Sequence, residues 1–218
     1  MISATKALER LRQGNRRFVS NTRGPGPLPS HRRRAELAIS QQQPIAIILG
    51  CSDSRVPPEI VFDQDLGDLF VIRVAGNVVA PSQLGSIEFA ASWLGTRLVV
   101  VLGHSRCAAV LATVEALQRP TGSQSDNLLS IVDRIRHSVE PLLNTDLRQD
   151  SDTLVRQAVR ANIGASVDRI RHGFKVLDRS IDDAGLVVVG AEYSLDTGVV
   201  EFFDDMEASS SCRDSDRE

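Results

Sequence analysis

The stretch RLVVVLGHSRCAAVLATVEALQ, residues 97–118, changes from a β-strand pattern to a helical pattern within a few residues. Residues 98–102 are apolar and mostly β-branched, without polar alternation, which is typical of a strand buried on both faces. A short polar turn follows, and residues 107–118 are rich in Ala and Leu, as a helix requires. The order of strand, turn and helix favours an α/β fold.

Three further apolar runs repeat this pattern along the chain. The predicted strands are residues 45–50, 69–76, 97–103 and 186–194, and the predicted helices between and after them are 81–95, 107–118, 126–145 and 151–183. Strands that alternate with helices indicate a mostly parallel central β-sheet flanked by helices. The turn DTG leads into VVEFF, which predicts a C-terminal antiparallel edge strand.

The N-terminus predicts a helical arm. Residues 4–19 place apolar side chains on one face, the Gly/Pro-rich segment 23–30 interrupts the helix, and residues 31–43 favour a second helix with Ser30 as its cap. Such an arm packs either on a neighbouring subunit or on its own domain, and the sequence leaves both open.

Global composition excludes several classes of protein. A net charge of −3 gives no sign of a nucleic-acid partner. No apolar run reaches the ~18–20 residues of a membrane span, and no signal peptide is visible, so a cytoplasmic location is expected. Three cysteines, an odd number, argue against a disulfide framework.

Polar side chains of particular chemistry follow two of the predicted strands. Cys51, Asp53 and Arg55 come after the first strand, and His104 and Cys107 come after the third. In open parallel sheets, ligands bind beyond the carboxyl ends of the strands. Two thiols and an imidazole are ligands that Zn²⁺ prefers, although small buried cysteines are also common in protein cores.

Asp53 decides what kind of metal site this would be. Three protein ligands leave a fourth tetrahedral position, which water occupies in catalytic sites and protein occupies in structural ones. Asp53 either closes the site or pairs with Arg55 and so presents an oriented carboxylate. A simple loop-stabilising salt bridge is the alternative.

These residues resemble a known family, the β-class carbonic anhydrases. The resemblance covers roughly residues 4–203 and includes a C-x-D-x-R motif with a downstream H-x-x-C. The matching segments are CSDSRVPPE, FDQDLGDLFVIRVAGNVV, GSIEFAASWLG, GHSRCAAV and GAEYSLDTGVVEFF.

The resemblance implies a role for each residue of the candidate site. Zinc ligands fall on Cys51, His104 and Cys107, with one Zn²⁺ per subunit. In open members water or hydroxide is the fourth ligand and the Asp53 position pairs with the Arg55 position. In closed, inactive members the Asp53 position binds zinc, so Asp53 counts both as a catalytic residue and as a candidate metal ligand.

The implied activity is that of a zinc lyase. Reversible hydration of CO₂ to bicarbonate and a proton is expected, with zinc-bound hydroxide oriented by Asp53 and Arg55. A homodimer or a higher even oligomer is expected as well. Two alternatives keep the fold: a catalytically silent zinc-binding assembly or regulatory module, and a hydrolase of CS₂ or COS.

The expected division of the chain follows from these assignments. It consists of an N-terminal helical arm and hinge over residues 1–34, a zinc-binding catalytic α/β domain over 35–205, and a disordered tail over 206–218.

Three positions depart from the family pattern. Ala108 stands where members usually have Gly, and Val74 stands where they usually have Asn. Some bacterial members bind bicarbonate at an allosteric site formed by Trp, Arg and Tyr. Arg73 and Tyr193 resemble two of these residues, but Ile48 replaces the Trp, so a bicarbonate switch of that form is not expected.

Overall fold

A computed structural model describes residues 2–22, 31–119, 125–173 and 185–203. Seven α-helices and five β-strands lie within these ranges. The helices are α1 (Ala4–Val19), α2 (His31–Ile39), α3 (Pro58–Val61), α4 (Pro81–Ser92), α5 (Ala108–Gln118), α6 (Asp126–Val139) and α7 (Ser151–His172). The strands are β1 (Ala46–Gly50), β2 (Leu69–Arg73), β3 (Leu98–His104), β4 (Val187–Tyr193) and β5 (Val200–Phe203).

The five strands form one sheet in the order β2-β1-β3-β4-β5. β1 pairs in parallel with β2 and β3, and β3 pairs in parallel with β4. β5 pairs antiparallel with β4, as an edge strand. The expected α/β architecture with a mostly parallel sheet and an antiparallel C-terminal strand is therefore confirmed.

Both faces of the sheet are covered, which explains why the strands lack polar alternation. Ile47 and Leu49 of β1 point into a core shared with α4, α5, α6 and α7. Ala46 and Ile48, the alternate residues, point into a second core that α1 and α3 close. Every residue of β1 and β3 is buried as a result.

Helix α1 packs on its own chain. Ala7, Leu8 and Leu11 are buried against the second core, and the side-chain amide of Asn15 donates to the carbonyls of Val61 and Gly198. Of the two arrangements left open for the arm, the structure shows packing on its own domain. The predicted division at residue 34 is untested and stays a prediction.

Several predicted elements are longer than the elements observed. β2 ends at Arg73 and is followed by a 3₁₀ turn, and α2 ends at Ile39. α6 ends at Val139 and is followed by two further 3₁₀ turns. The cap at Ser30, residues 174–183 of the last predicted helix, and the tail over 206–218 lie outside the described residues. Among the described residues, no helix is long and apolar enough to span a membrane.

At Gly14, α1 lies directly against the backbone of Phe62, the residue that follows α3. A Cβ at this position would lie 1.7 Å from the carbonyl oxygen of Phe62, whereas a Cβ at Gly164 in α7 would meet nothing within 4 Å. Gly14→Ala is therefore expected to lower the free energy of unfolding by about 1–3 kcal/mol, because α1 must move away from the Phe62 carbonyl.

Gly164→Ala is the matched control, with the same substitution in the middle of a helix. It is expected to raise the free energy of unfolding by roughly 0.5–1 kcal/mol, because it removes backbone freedom from the unfolded chain. Urea unfolding curves of both variants measure the difference. Equal midpoints would show that α1 does not pack on this surface.

Candidate metal centre

Two thiols and one imidazole converge where the first and third strands end. Cys51 directly follows β1, His104 ends β3, and Cys107 precedes α5 as its N-cap residue. The three are buried, and their potential ligand atoms lie within 4.8 Å of one another. The sulfur atoms of Cys51 and Cys107 are 3.9 Å apart. The cluster has the composition and compactness that a bound metal ion needs.

The orientation of His104 favours ligation through Nε2. Its Nδ1 lies 3.0 Å from the carbonyl oxygen of Ser105, and because a carbonyl only accepts, Nδ1 carries the proton. Nε2 therefore keeps a free lone pair. This atom is buried without a hydrogen-bond partner among the described residues. A buried polar atom without a partner is costly, and a metal ion would satisfy it.

The two cysteines are arranged so that one gives up its proton easily. The hydrogen bond from Cys107 and those from the backbone N–H groups of Asp53 and Gly76 hold the pKa of Cys51 well below that of a free thiol. The same hydrogen bond, together with burial, raises the pKa of Cys107. A metal ion would replace the thiol proton that remains, because the thiolate is the form that binds metal.

Asp53 is held by Arg55. The guanidinium donates from Nε to Oδ1 at 2.9 Å and from an Nη atom to Oδ2 at 2.7 Å, and the backbone N–H of Arg55 donates to Oδ1 at 2.9 Å. These bonds hold the pKa of Asp53 well below its usual range. The carboxylate stays close to the cluster, since Oδ2 lies 3.9 Å from Nε2 of His104. Of its two expected partners, Asp53 contacts Arg55.

Arg73 fixes the loop that carries these residues. Its guanidinium donates to the carbonyl of Cys51 at 3.0 Å and to the carbonyl of Asp53 at 2.6 Å. Both acceptors are backbone atoms. The contacts of Arg73 therefore restrain the path of the loop without engaging the Cys51 thiol or the Asp53 carboxylate. The sequence drew attention to Arg73 through its resemblance to an allosteric residue.

The turn after His104 depends on an unusual backbone conformation. Arg106 has φ +55°, in the left-handed region that non-glycine residues rarely adopt. Its guanidinium forms an ion pair with Asp196. The turn reverses the direction of the chain within three residues. The side chain of Cys107 therefore points to the same place as the side chain of His104. Nothing in the motif itself indicated Asp196, which lies 90 residues away.

The Ala75–Asn77 turn forms part of the centre and was not identified as such from the sequence. The backbone N–H of Gly76 donates to Sγ of Cys51 at 3.4 Å. Two side chains of α7, Asn162 and Ser166, donate to the carbonyls of Gly76 and Asn77. An Asn in the middle of a long helix is a weak signal for such a role, because Asn is a poor helix former.

The three departures from the family pattern have simple structural settings. Ala108 is the first residue of α5. Val74 is extended and packs against the core beside the site. Ile48 is fully buried and shares the second core with Tyr193, while Arg73 is engaged with the loop carbonyls.

Comparisons with known proteins agree with this geometry. Residues 46–200 match the carbonic anhydrase family. Carbonic anhydrase 2 of Mycobacterium tuberculosis is 39% identical over 197 residues, which cover 90% of each chain. The carbonic anhydrase of Mycolicibacterium smegmatis is 37% identical over 203 residues, which cover 92% of each chain.

Solved structures show the same similarity at the level of the fold. The β-carbonic anhydrase CafA of Aspergillus fumigatus has a TM-score of 0.69 and 27% identity, covering 78% of this chain and 80% of that chain. The β-carbonic anhydrase CcaA has a TM-score of 0.69 and 26% identity, covering 90% and 87%.

Replacing a cysteine of the cluster is expected to remove the metal. Cys107→Ser exchanges a soft thiolate for a hydroxyl that keeps its proton, so the bound zinc should fall from about one ion per chain to a small fraction. Plasma mass spectrometry of protein dialysed against a weak chelator measures the content. Cys212→Ser, which removes the third cysteine of the sequence, is the control and should keep its metal. Equal zinc in both variants would contradict the assignment.

Proposed function

The chain belongs to the β-class carbonic anhydrase family of enzymes, and we propose that it catalyses the zinc-dependent, reversible hydration of CO₂ to bicarbonate and a proton. The observation that carries the proposal is the convergence of Cys51, His104 and Cys107 beside a carboxylate that Arg55 already holds. One Zn²⁺ per subunit would be held by the two sulfur atoms and by Nε2 of His104. Zinc in such a site lowers the pKa of its bound water and so makes hydroxide available near neutral pH.

Asp53 would orient the attacking oxygen. Its carboxylate is ionised and acts as an acceptor only, because two guanidinium donors and one backbone N–H hold it in that form. Oδ2 lies 3.9 Å from Nε2 of His104, so this acceptor lies beside the cluster that would hold the zinc. There it would accept a hydrogen bond from the attacking water or hydroxide and so orient an oxygen lone pair toward CO₂.

Arg55 would keep Asp53 in this role. The guanidinium competes with a metal for the same carboxylate oxygens, and the bidentate pairing is the stronger geometry for a carboxylate beside an arginine. Its side chain is 53% exposed while that of Asp53 is 13% exposed, so the pair reaches from solvent to the buried cluster. The pairing supports the open form of the site, with the fourth position available to water.

Asp53→Asn is expected to lower kcat/KM for CO₂ hydration by about 100-fold, at the lower end of the ~10²–10⁴ range for a positioned proton acceptor. The amide keeps the size of the side chain but loses the ionised acceptor. Stopped-flow hydration assays on zinc-loaded protein measure the loss. Asp63→Asn is the matched control, since Asp63 pairs with Arg17 away from the cluster, and it should keep wild-type activity.

The same assay separates the two alternatives. A catalytically silent zinc-binding module would hold one zinc per chain, and the wild type would hydrate CO₂ no faster than Cys107→Ser. A hydrolase of CS₂ or COS would turn over those substrates while CO₂ hydration stayed at that low level. Either result would overturn the proposed reaction and leave the metal site intact.

We also propose that the subunit assembles as a homodimer or a higher even oligomer through the β2 edge of the sheet. Among the described strands β2 pairs with β1 alone, and its first four residues are half-buried while Arg73 is exposed. Next to it, Phe89 stacks on Trp93, and the two side chains remain 43% and 77% exposed. Aromatic side chains of this size beside an unpaired strand edge are typical of surfaces that another chain covers.

Trp93→Glu is therefore expected to increase the fraction of monomer at low protein concentration. A charge placed at the centre of this surface would have to be buried on assembly. Light scattering coupled to gel filtration measures the mass. Leu128→Glu changes another exposed apolar residue, on α6, and should leave the mass unchanged. A wild-type protein that is monomeric at high concentration would contradict the assembly.

A further inference from the structure

We infer that Asn162 is a positioning residue for the metal centre: through the carbonyl of Gly76 it holds the backbone N–H that donates to the Cys51 sulfur. The inference rests on the proposed zinc site. It adds a residue on α7, outside the motifs that form the site, and assigns it an effect on the electronic properties of one ligand.

The first step is the pair of hydrogen bonds to Cys51. The backbone N–H groups of Asp53 and Gly76 both donate to Sγ, each at 3.4 Å. Hydrogen bonds to a thiolate ligand withdraw electron density from the sulfur and so tune what it donates to a metal. The Asp53 donor comes from the same loop as the cysteine. The Gly76 donor comes from a different segment, so its position depends on the tertiary structure.

The second step is that the turn carrying Gly76 does not adopt its conformation easily. Gly76 has φ +68° and the next residue, Asn77, has φ +43°. A left-handed conformation is unfavourable for a non-glycine residue such as Asn77, and such strained residues persist where surrounding contacts determine them. The space is also restricted, since a Cβ on Gly76 would lie 2.8 Å from the side chain of Ile135.

The third step is the contact that restrains the turn. Nδ2 of Asn162 donates to the carbonyl of Gly76 at 2.8 Å, in a buried position. The same glycine therefore has its N–H on the sulfur and its C=O on the asparagine. Ser166, one helical turn further along α7, donates to the carbonyl of Asn77 at 3.1 Å and supports the next peptide. Without the amide of Asn162, the Gly76 carbonyl would be buried without this partner, and the turn is expected to shift.

If Asn162 had only a structural role, Asn162→Ala would lower the stability of the protein and leave the properties of the metal site unchanged. Asn15 allows the two roles to be separated, because it is also a buried asparagine whose amide donates to backbone carbonyls, those of Val61 and Gly198. It lies on α1, which packs on the second core, whereas α7 with Asn162 packs on the first core across the sheet. Asn15→Ala therefore matches Asn162→Ala in chemistry and burial and leaves the ligand untouched.

The test uses the full chain with Co²⁺ in place of zinc. Asn162→Ala is expected to move the sulfur-to-cobalt charge-transfer band to lower energy, because a sulfur that loses a hydrogen bond becomes more electron-rich. It should also release zinc to a chelator about 10-fold faster, in line with the ~10–100-fold effects of residues behind metal ligands. Asn15→Ala should leave both the band and the release rate unchanged. Coincident bands in the wild type and in both variants would overturn the inference.

Two further measurements keep the test decisive. If Asn162→Ala does not fold, Asn162→Ser, whose hydroxyl is too short to reach the carbonyl, is expected to give the same shift. In the wild type loaded with ¹¹³Cd, a scalar coupling between the metal and the Gly76 amide proton is expected, and its absence would overturn the inference whatever the variants do. A wild type that binds no metal would instead contradict the proposed function.

Discussion

The centre depends on the parallel pairing of β1 with β3. In this register Gly50 lies opposite Leu102, so the residues that follow, Cys51 on one strand and His104 on the other, leave the sheet at the same edge. A shift of one residue would turn alternate side chains to the opposite face. The two buried cores fix the register, because each face of β1 and β3 presents apolar side chains to its own set of helices.

The arginines around the centre have separate tasks. Arg73 donates to backbone carbonyls and fixes the loop, whereas Arg55 donates to the Asp53 carboxylate and fixes its direction. Arg106 pairs with Asp196 and accompanies the left-handed turn that precedes Cys107. Because none of these three contacts uses a thiol or the imidazole, the loop can be rigid while the soft ligands remain available.

The core and the centre meet at α7. Its apolar side chains pack under the sheet, and Ile163 lies so close to Gly103 that a Cβ there would be 2.5 Å from its side chain. On the same helix, Asn162 and Ser166 hold the turn that faces Cys51. Packing of α7 therefore sets the position of β3 and also the position of the Gly76 N–H that donates to Cys51. A change in this packing would affect both the stability of the fold and the geometry of the metal site.

Local patterns were sufficient for much of this protein. Unbroken runs of β-branched residues predicted four strands, and all four form, although β2 at the edge of the sheet is half-buried where full burial was expected. The residues after the strands predicted a thiol and imidazole site, because the carboxyl ends of parallel strands meet at the same edge of the sheet. The sequence left open whether Asp53 would lie on Arg55 or on the metal, and it did not identify Gly76, Asn162 or Asp196 as parts of the centre. The contacts of Gly76, Asn162 and Asp196 join segments tens of residues apart, and their geometry depends on how α7 and the loops pack. Residue types and local spacing determine which elements form and which chemistry is available, whereas hydrogen bonds between distant segments exist only once packing has brought donor and acceptor within about 3 Å of each other.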